Sequence, residues 1–218
     1  MTDEAPAGRA GERDGDTEQR ILRAARSVFV RRGTAGARMQ EIAAEAGVNQ
    51  ALLHYYFRSK DRLAEAVFRE AAGRLVPAVL RLFGSEAPLE EKVERFVQLY
   101  IDTVRQSPFM PGYVLAELHH QPERLRALAE AASEPPAELA GGILRRLGAQ
   151  LDEGAAAGTM RRMTPQQFLV NLFGLSVFPF VARPVLDFAF GFDDEAFDRF
   201  LDERRAELPA FILGALRP

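Results

Sequence analysis

The sequence predicts an all-α protein in two parts, a small N-terminal helical module and a larger helical body behind it. Apolar residues recur at helical spacing along most of the chain, and no stretch sustains the two-residue alternation of a half-buried strand. Pro and Gly clusters cut the chain at 84–88, 107–112, 133–136 and 154–158, intervals that suit helices. A length of 218 residues is ample for a core, and 47% hydrophobic with 27% charged residues is an ordinary globular composition. With 0 cysteines, disulfides, thiolate metal sites and cysteine nucleophiles are excluded.

Residues 1–16 are small and charged, too poor in apolar surface to order themselves, and are read as a disordered arm. They do not form the apolar stretch of a secretory signal, so a cytoplasmic location is expected. The first helix opens at Thr17, carries Ile21, Leu22, Ala25, Val28 and Phe29 on one face, and stops at Gly33. A short helix follows over about 39–46, and Gly47 makes the next turn. Asn49 is the natural N-cap of a third helix reaching about Tyr56. Ser59 caps a fourth, read as one long helix from about Lys60 to Phe83 along Leu63, Val67, Leu75, Val79 and Leu82. Further helices are expected at about 88–106, 110–120, 123–132, 136–154, 165–182 and 194–215. Pro88, Pro136 and Pro165 fit first turns, where a missing N–H costs nothing. The domains read as 1–16 arm, 17–63 first module and 64–218 body.

The formal net charge is −3, yet residues 17–74 hold 11 basic against 6 acidic groups. Phosphate attraction acts locally, so a basic module on an acidic body still fits a nucleic-acid partner. Within it, Ile42, Ala43, Val48 and Leu53 are placed to pack two short helices across the Gly47 turn, a helix-turn-helix. With Val48, Leu53 and Phe57 inward, the third helix presents Gln50, Ala51, His54 and Tyr55. An amide, a small side chain, an imidazole and a phenol suit a major groove.

Phe29, Gly33, Ile42-Ala43, Ala46-Gly47-Val48 and Tyr55-Tyr56-Phe57-x-Ser59-Lys60-x-x-Leu63 resemble the signature of TetR-type regulators, over about 47 residues. The resemblance implies DNA contacts from the third helix, from the start of the second and from Lys60. Carried over by position, these are Arg38, Gln40, Asn49, Gln50, Ala51, His54, Tyr55, Tyr56 and Lys60. Three positions depart from the pattern: Arg38, Leu52 and His54 stand where threonine, threonine and tyrosine are usual. Arg38 can touch phosphate but cannot cap, and Leu52 offers only an apolar contact. Tyr56 is as much a core candidate as a phosphate ligand, and Arg58 and Arg62 read as solvated charges.

In the body, Phe168 to Val181 is apolar all round and must be covered on every side. Asn171 and Pro179 interrupt it, and it is too short to span a membrane. The final helix carries a broad stripe. Doubling the two helices makes a four-helix bundle, an arrangement the resemblance also implies. Gly174, Phe178, Phe197, Phe200, Leu201, Leu208, Phe211 and Ile212 are its interface candidates.

A second group, Phe96, Tyr100, Phe109, Met110, Tyr113, Glu117, His119, Phe168, Leu172 and Phe173, reads either as plain core or as the lining of an apolar pocket. The resemblance implies the pocket, a small apolar or amphipathic effector, and an all-α ligand-binding and dimerisation domain. Adjacent His119 and His120 do not face one another and make no metal pair. No Gly-rich phosphate loop, metal-spaced ligand set or activated serine stands in the sequence, so no catalytic residue, cofactor or metal is assigned. The expected protein is a homodimeric, DNA-binding repressor released from a palindromic operator by its effector. An activator, or a regulator answering to a protein partner, is the alternative.

Overall fold

The computed structural model describes residues 8–73, 75–123 and 136–218. Every regular element among them is an α-helix. The chain divides into two compact units, Met1–Ala71 and Ala72–Pro218.

The N-terminal unit holds α1 (Gly8–Gly36), α2 (Met39–Ala46), α3 (Gln50–Phe57) and most of α4 (Lys60–Ala72). Helix α1 starts upstream of Thr17, inside the segment whose composition reads as an arm. Gly33 interrupts it with φ 67 and ψ 164, a backbone no other residue adopts cheaply. Ile21, Ala25, Val28 and Phe29 of α1 are buried with Ile42 and Ala43 of α2, Leu53 and Phe57 of α3, and Leu63, Val67 and Phe68 of α4. Val48 is only half-buried.

The fourth helix differs from its sequence reading. It ends at Ala72, and a separate α5 runs Leu75–Gly84. Pro77 explains the break. Its ring lacks the N–H that a continuous helix would direct at Gly73 and clashes with that carbonyl, so the proline sits in the first turn of a new helix instead. The unit boundary accordingly keeps α4 with the N-terminal helices, whereas a cut after Leu63 would divide its first turn.

The C-terminal unit comprises α5, α6 (Leu89–Arg105), α7 (Met110–His120), α8 (Pro136–Ala156), α9 (Pro165–Val181), α10 (Arg183–Phe190) and α11 (Asp194–Gly214). From residue 124 on, the helix expected over 123–132 lies outside the described residues. Helix α6 is central, packed by α5, α9 and α11. Its Val93, Phe96, Val97, Tyr100 and Ile101 meet Phe168, Leu172 and Phe180 of α9 and Phe197, Leu201, Leu208 and Ile212 of α11 in one core. Helices α9 and α10 diverge by 67° at the break between them, and no single described helix is long and apolar enough to cross a membrane.

Helix α10 has no counterpart in the sequence reading, which places helices only at about 165–182 and 194–215 here. The structure uses Pro184 as a helix start and Gly191 (φ 69) as the left-handed stop. Arg183 anchors the helix. The residue is 7% exposed, and its guanidinium pairs with Asp194 and, at 3.5 Å, with Asp187, and lies over the Phe197 ring at 4.5 Å and the Phe109 ring at 5.5 Å.

Candidate nucleic-acid interface

The turn between α2 and α3 is built on Gly47, whose φ of 65 and ψ of 34 are left-handed; its N–H meets the Ala44 carbonyl at 3.1 Å and Val48 N–H the Ala43 carbonyl at 3.0 Å. A Cβ there would meet nothing within 4 Å, so conformation rather than space demands glycine. Asn49 then caps α3, its Oδ1 accepting from Leu52 N–H at 2.8 Å. Arg38 precedes α2 in extended backbone and makes no side-chain cap.

The structure brings most of the sequence-assigned residues onto one unit's surface. Arg38, Gln40, Asn49, Gln50, Ala51, His54 and Tyr55 are exposed, Tyr55 by 72%, while Leu53 and Phe57 behind them are buried. Tyr56 is half-buried, its ring edge-on to Tyr55 at 5.4 Å and tilted on Phe57 at 6.4 Å. His54 carries information the sequence did not. Its Nδ1 lies 3.1 Å from the Arg58 carbonyl. A carbonyl only accepts, so Nδ1 holds the proton, and in the neutral ring Nε2 presents a lone pair outward. Arg58 itself closes α3 at a φ of 50.

Lys60 has a job beyond the one read from sequence. Its Nζ donates to the Ala35 carbonyl at 3.0 Å and the Ala37 carbonyl at 3.2 Å, tying the head of α4 to the corner between α1 and α2. One of its three N–H groups is left for another acceptor. Elsewhere on the unit, three arginines are neutralised in place. Arg26 pairs with Glu70 at 2.8 Å, Arg32 with Glu41 at 2.8 Å and Arg31 with Glu45 at 2.5 Å. The Arg31 hydrogen bond holds the Glu45 carboxyl below the usual carboxylate range.

Residues 21–67 match the family described as bacterial regulatory proteins, tetR family. The matched segment lies within the N-terminal unit. Among curated relatives, the chain is 33% identical over 107 residues to the HTH-type transcriptional regulator BetI of Rhizobium meliloti, covering 49% of this chain and 51% of that one. It is 28% identical over 151 residues to the HTH-type transcriptional repressor NicS of Pseudomonas putida, covering 66% of each. It thus spans about half the length of the first of these relatives. The structure of the Bacillus subtilis regulator FadR in complex with stearoyl-CoA superposes with a TM-score of 0.54 at 18% identity, over 91% of this chain and 99% of that one, which shows a shared fold.

The second group of candidates, all in the C-terminal unit, does not fall on one surface. Phe96, Tyr100, Phe168 and Leu172 are buried and Phe173 is half-buried; Phe96 and Phe173 meet edge-on at 4.7 Å, and Tyr100 lies 5.8 Å from Phe96 and 5.9 Å from Phe180. Burial pushes the Tyr100 phenol well above its ordinary range, so it stays protonated. Met110, Tyr113 and Glu117 are buried along α7, whereas Phe109 is 54% exposed and His119 is exposed.

The interface candidates also divide, and here the expectation needs correcting. Phe197, Leu201, Leu208 and Ile212 are 1–5% exposed and belong to the chain's own core, because α11 spends one face on α6. Gly174, Phe178 (60% exposed) and Phe211 (64%) point outward, with Phe200 between the two groups. Sequence reasoning missed the apolar surface of α10, where Val185, Phe188 and Phe190 are exposed. Its one available signal was Arg183-Pro184 ahead of Asp187, an i,i+4 pair behind a first-turn proline.

Helices α9 and α11 are joined by a bond with a clear cause. Pro179 has no N–H, so the Leu175 carbonyl four residues back loses its helical donor. Arg204 of α11 supplies one, Nη2 to the Leu175 oxygen at 2.6 Å. Beside it, Leu175, Phe200, Glu203, Arg204, Glu207, Leu208 and Phe211 line an open pocket of 260 Å³.

Proposed function

We propose that this protein is a homodimeric transcriptional regulator, a repressor that leaves a palindromic operator when a small apolar or amphipathic effector binds its C-terminal unit. The observation that carries the reading is the outward row Gln50, Ala51, His54 and Tyr55 on α3, held in register by the buried Leu53 and Phe57. One helix of this size reads few base pairs, so two copies about 34 Å apart supply the affinity a regulator needs. The outward Gly174, Phe178 and Phe211 support α9 and α11 as the place where copies meet. The aromatic cluster around Phe96, Tyr100 and Phe173 supports an apolar effector, in keeping with the stearoyl-CoA bound by the Bacillus subtilis protein. Arg38, Gln40, Asn49, Tyr56 and Lys60 complete the DNA set, and a DNA-binding role is in keeping with a cytoplasmic location.

Release requires the effector to prefer one arrangement of the two reading helices, by about 5.5 kcal/mol for a near-complete switch. With α4 and α5 separate, a single rigid rod does not transmit it. The test is selection of genomic fragments by the purified protein, followed by titration at several salt concentrations. A palindrome bound by two copies, with affinity falling steeply as salt rises, is the expected result. Recovery of no preferred site overturns the reading. Loss of the complex on adding long-chain acyl compounds supports the effector class.

A further inference from the structure

We infer that Arg20 and Arg23 form a second DNA-backbone contact, a two-arginine phosphate clamp on α1 that lies outside the helix-turn-helix. This rests on the DNA-binding reading above. Spaced three apart, the two side chains share one face of α1. With Ala24 of α1 and Glu45 and Ala46 at the end of α2, they line a shallow groove of 310 Å³. Both are exposed.

Their pairing sets them apart from their neighbours. Arg26, Arg31 and Arg32 on the same helix each meet a carboxylate, at 2.8, 2.5 and 2.8 Å. Among the described residues neither Arg20 nor Arg23 has an ion pair or hydrogen bond. The one acid in the groove, Glu45, is already held by Arg31. The groove is therefore cationic, with two guanidinium forks unspent, and planar forks of this kind match phosphate oxygens.

Position selects the phosphate. Ala46 is the last residue of α2, and α3 begins at Gln50 after the Gly47 turn. A duplex read by the front of α3 carries its sugar-phosphate backbone past this corner. The groove thus adds contacts that position the protein without reading sequence.

The experiment compares the full-length protein with an R20Q/R23Q variant on the recovered operator and on an unrelated duplex, across a salt series. Each lost phosphate contact makes the slope of log affinity against log salt shallower by about 0.9, hence by about 3 to 4 for four arginines in a dimer. Affinity falls by a similar factor on both duplexes. An R20K/R23K variant retains most of the slope. R199Q, which removes an exposed charge paired with Glu195 at 2.6 Å on α11, leaves the slope unchanged. Because both arginines are exposed and unbonded, the melting temperature of R20Q/R23Q matches the wild type. An unaltered slope in R20Q/R23Q, or a loss confined to the operator, overturns the clamp. If the wild type itself shows no salt-dependent binding, the DNA reading fails and the clamp with it.

Discussion

The exposed face of α3 and the exposed face shared by α9 and α11 differ in kind. The first shows Gln50, Ala51, His54 and Tyr55, side chains that are at ease in water and carry donors and acceptors at their tips. The second shows Phe178 at 60% and Phe211 at 64% exposure beside Gly174. A polar face is stable alone and waits for a ligand. An apolar one of this size loses free energy for as long as it is wet, which argues for a permanent partner. On the proposed reading, the same chain separates an interface that is made and broken from one that stays closed.

The comparison breaks most visibly at the apolar face. A F178E/F211E variant is expected to sediment as a monomer and to bind the operator about 10² to 10⁴-fold more weakly, because linked half-sites lose their effective concentration. Since both side chains are exposed, the helical circular dichroism signal remains. A variant that stays dimeric would place the interface elsewhere, with Val185, Phe188 and Phe190 of α10 next in line.

Within α3, F57A removes a buried ring and is expected to cost about 3 to 5 kcal/mol in denaturant unfolding. Y55A, which takes away an exposed ring, changes stability by less than about 0.5 kcal/mol while weakening DNA binding. Equal destabilisation by the two would contradict the inward and outward assignment.

A smaller effect tests the joint between α9 and α11. R204M strips the donor from the Leu175 carbonyl and is expected to cost about 1 to 3 kcal/mol. P179A restores a helical N–H to that carbonyl, so the same R204M change made in a P179A background costs less. A double-mutant cycle with no coupling energy would sever Arg204 from Pro179.

The smallest expected effect concerns charge in the core. Lys92 is fully buried beneath Gln150, its Nζ 3.0 Å from Oε1, and desolvation lowers its ammonium below the ordinary lysine value, helped by nearby Arg146 and opposed by Glu86. A folded-state value below the unfolded one means the unfolded chain binds the extra proton. Stability contributed by this group is therefore poorest below the folded value and rises with pH until the unfolded value of 10.5 is passed. Relative to K92M, the wild type is expected to gain in melting temperature as the pH rises from neutral toward 10.5. A constant difference across that window would show that Lys92 pays no desolvation cost.

Much of the N-terminal unit was legible in the sequence because its determinants are local. Gly47 demands a left-handed turn, Asn49 and Ser59 offer capping oxygens, and Leu53 with Phe57 defines an inner face from spacing alone. Lys60 was legible as a candidate DNA contact but not as the tie to Ala35 and Ala37, because those bonds join residues more than twenty positions apart. The long fourth helix misled because an apolar stripe continues across Gly73 and Pro77, and periodicity does not register a missing N–H.

By itself the sequence determined that the chain is helical, where most helices start and stop, and which short helix turns Gln50, Ala51, His54 and Tyr55 outward. Hydrogen bonds and caps within a few residues decide those things. Only the tertiary structure decided which sides of the C-terminal helices are inside. Along α9, Phe168, Leu172, Ser176 and Phe180 turn inward, the serine hydroxyl donating to the Leu172 carbonyl at 2.8 Å, while Val170, Gly174, Phe178 and Val181 face out. A helix apolar all round has no preferred side of its own, and its orientation is set by the neighbours that come to cover it.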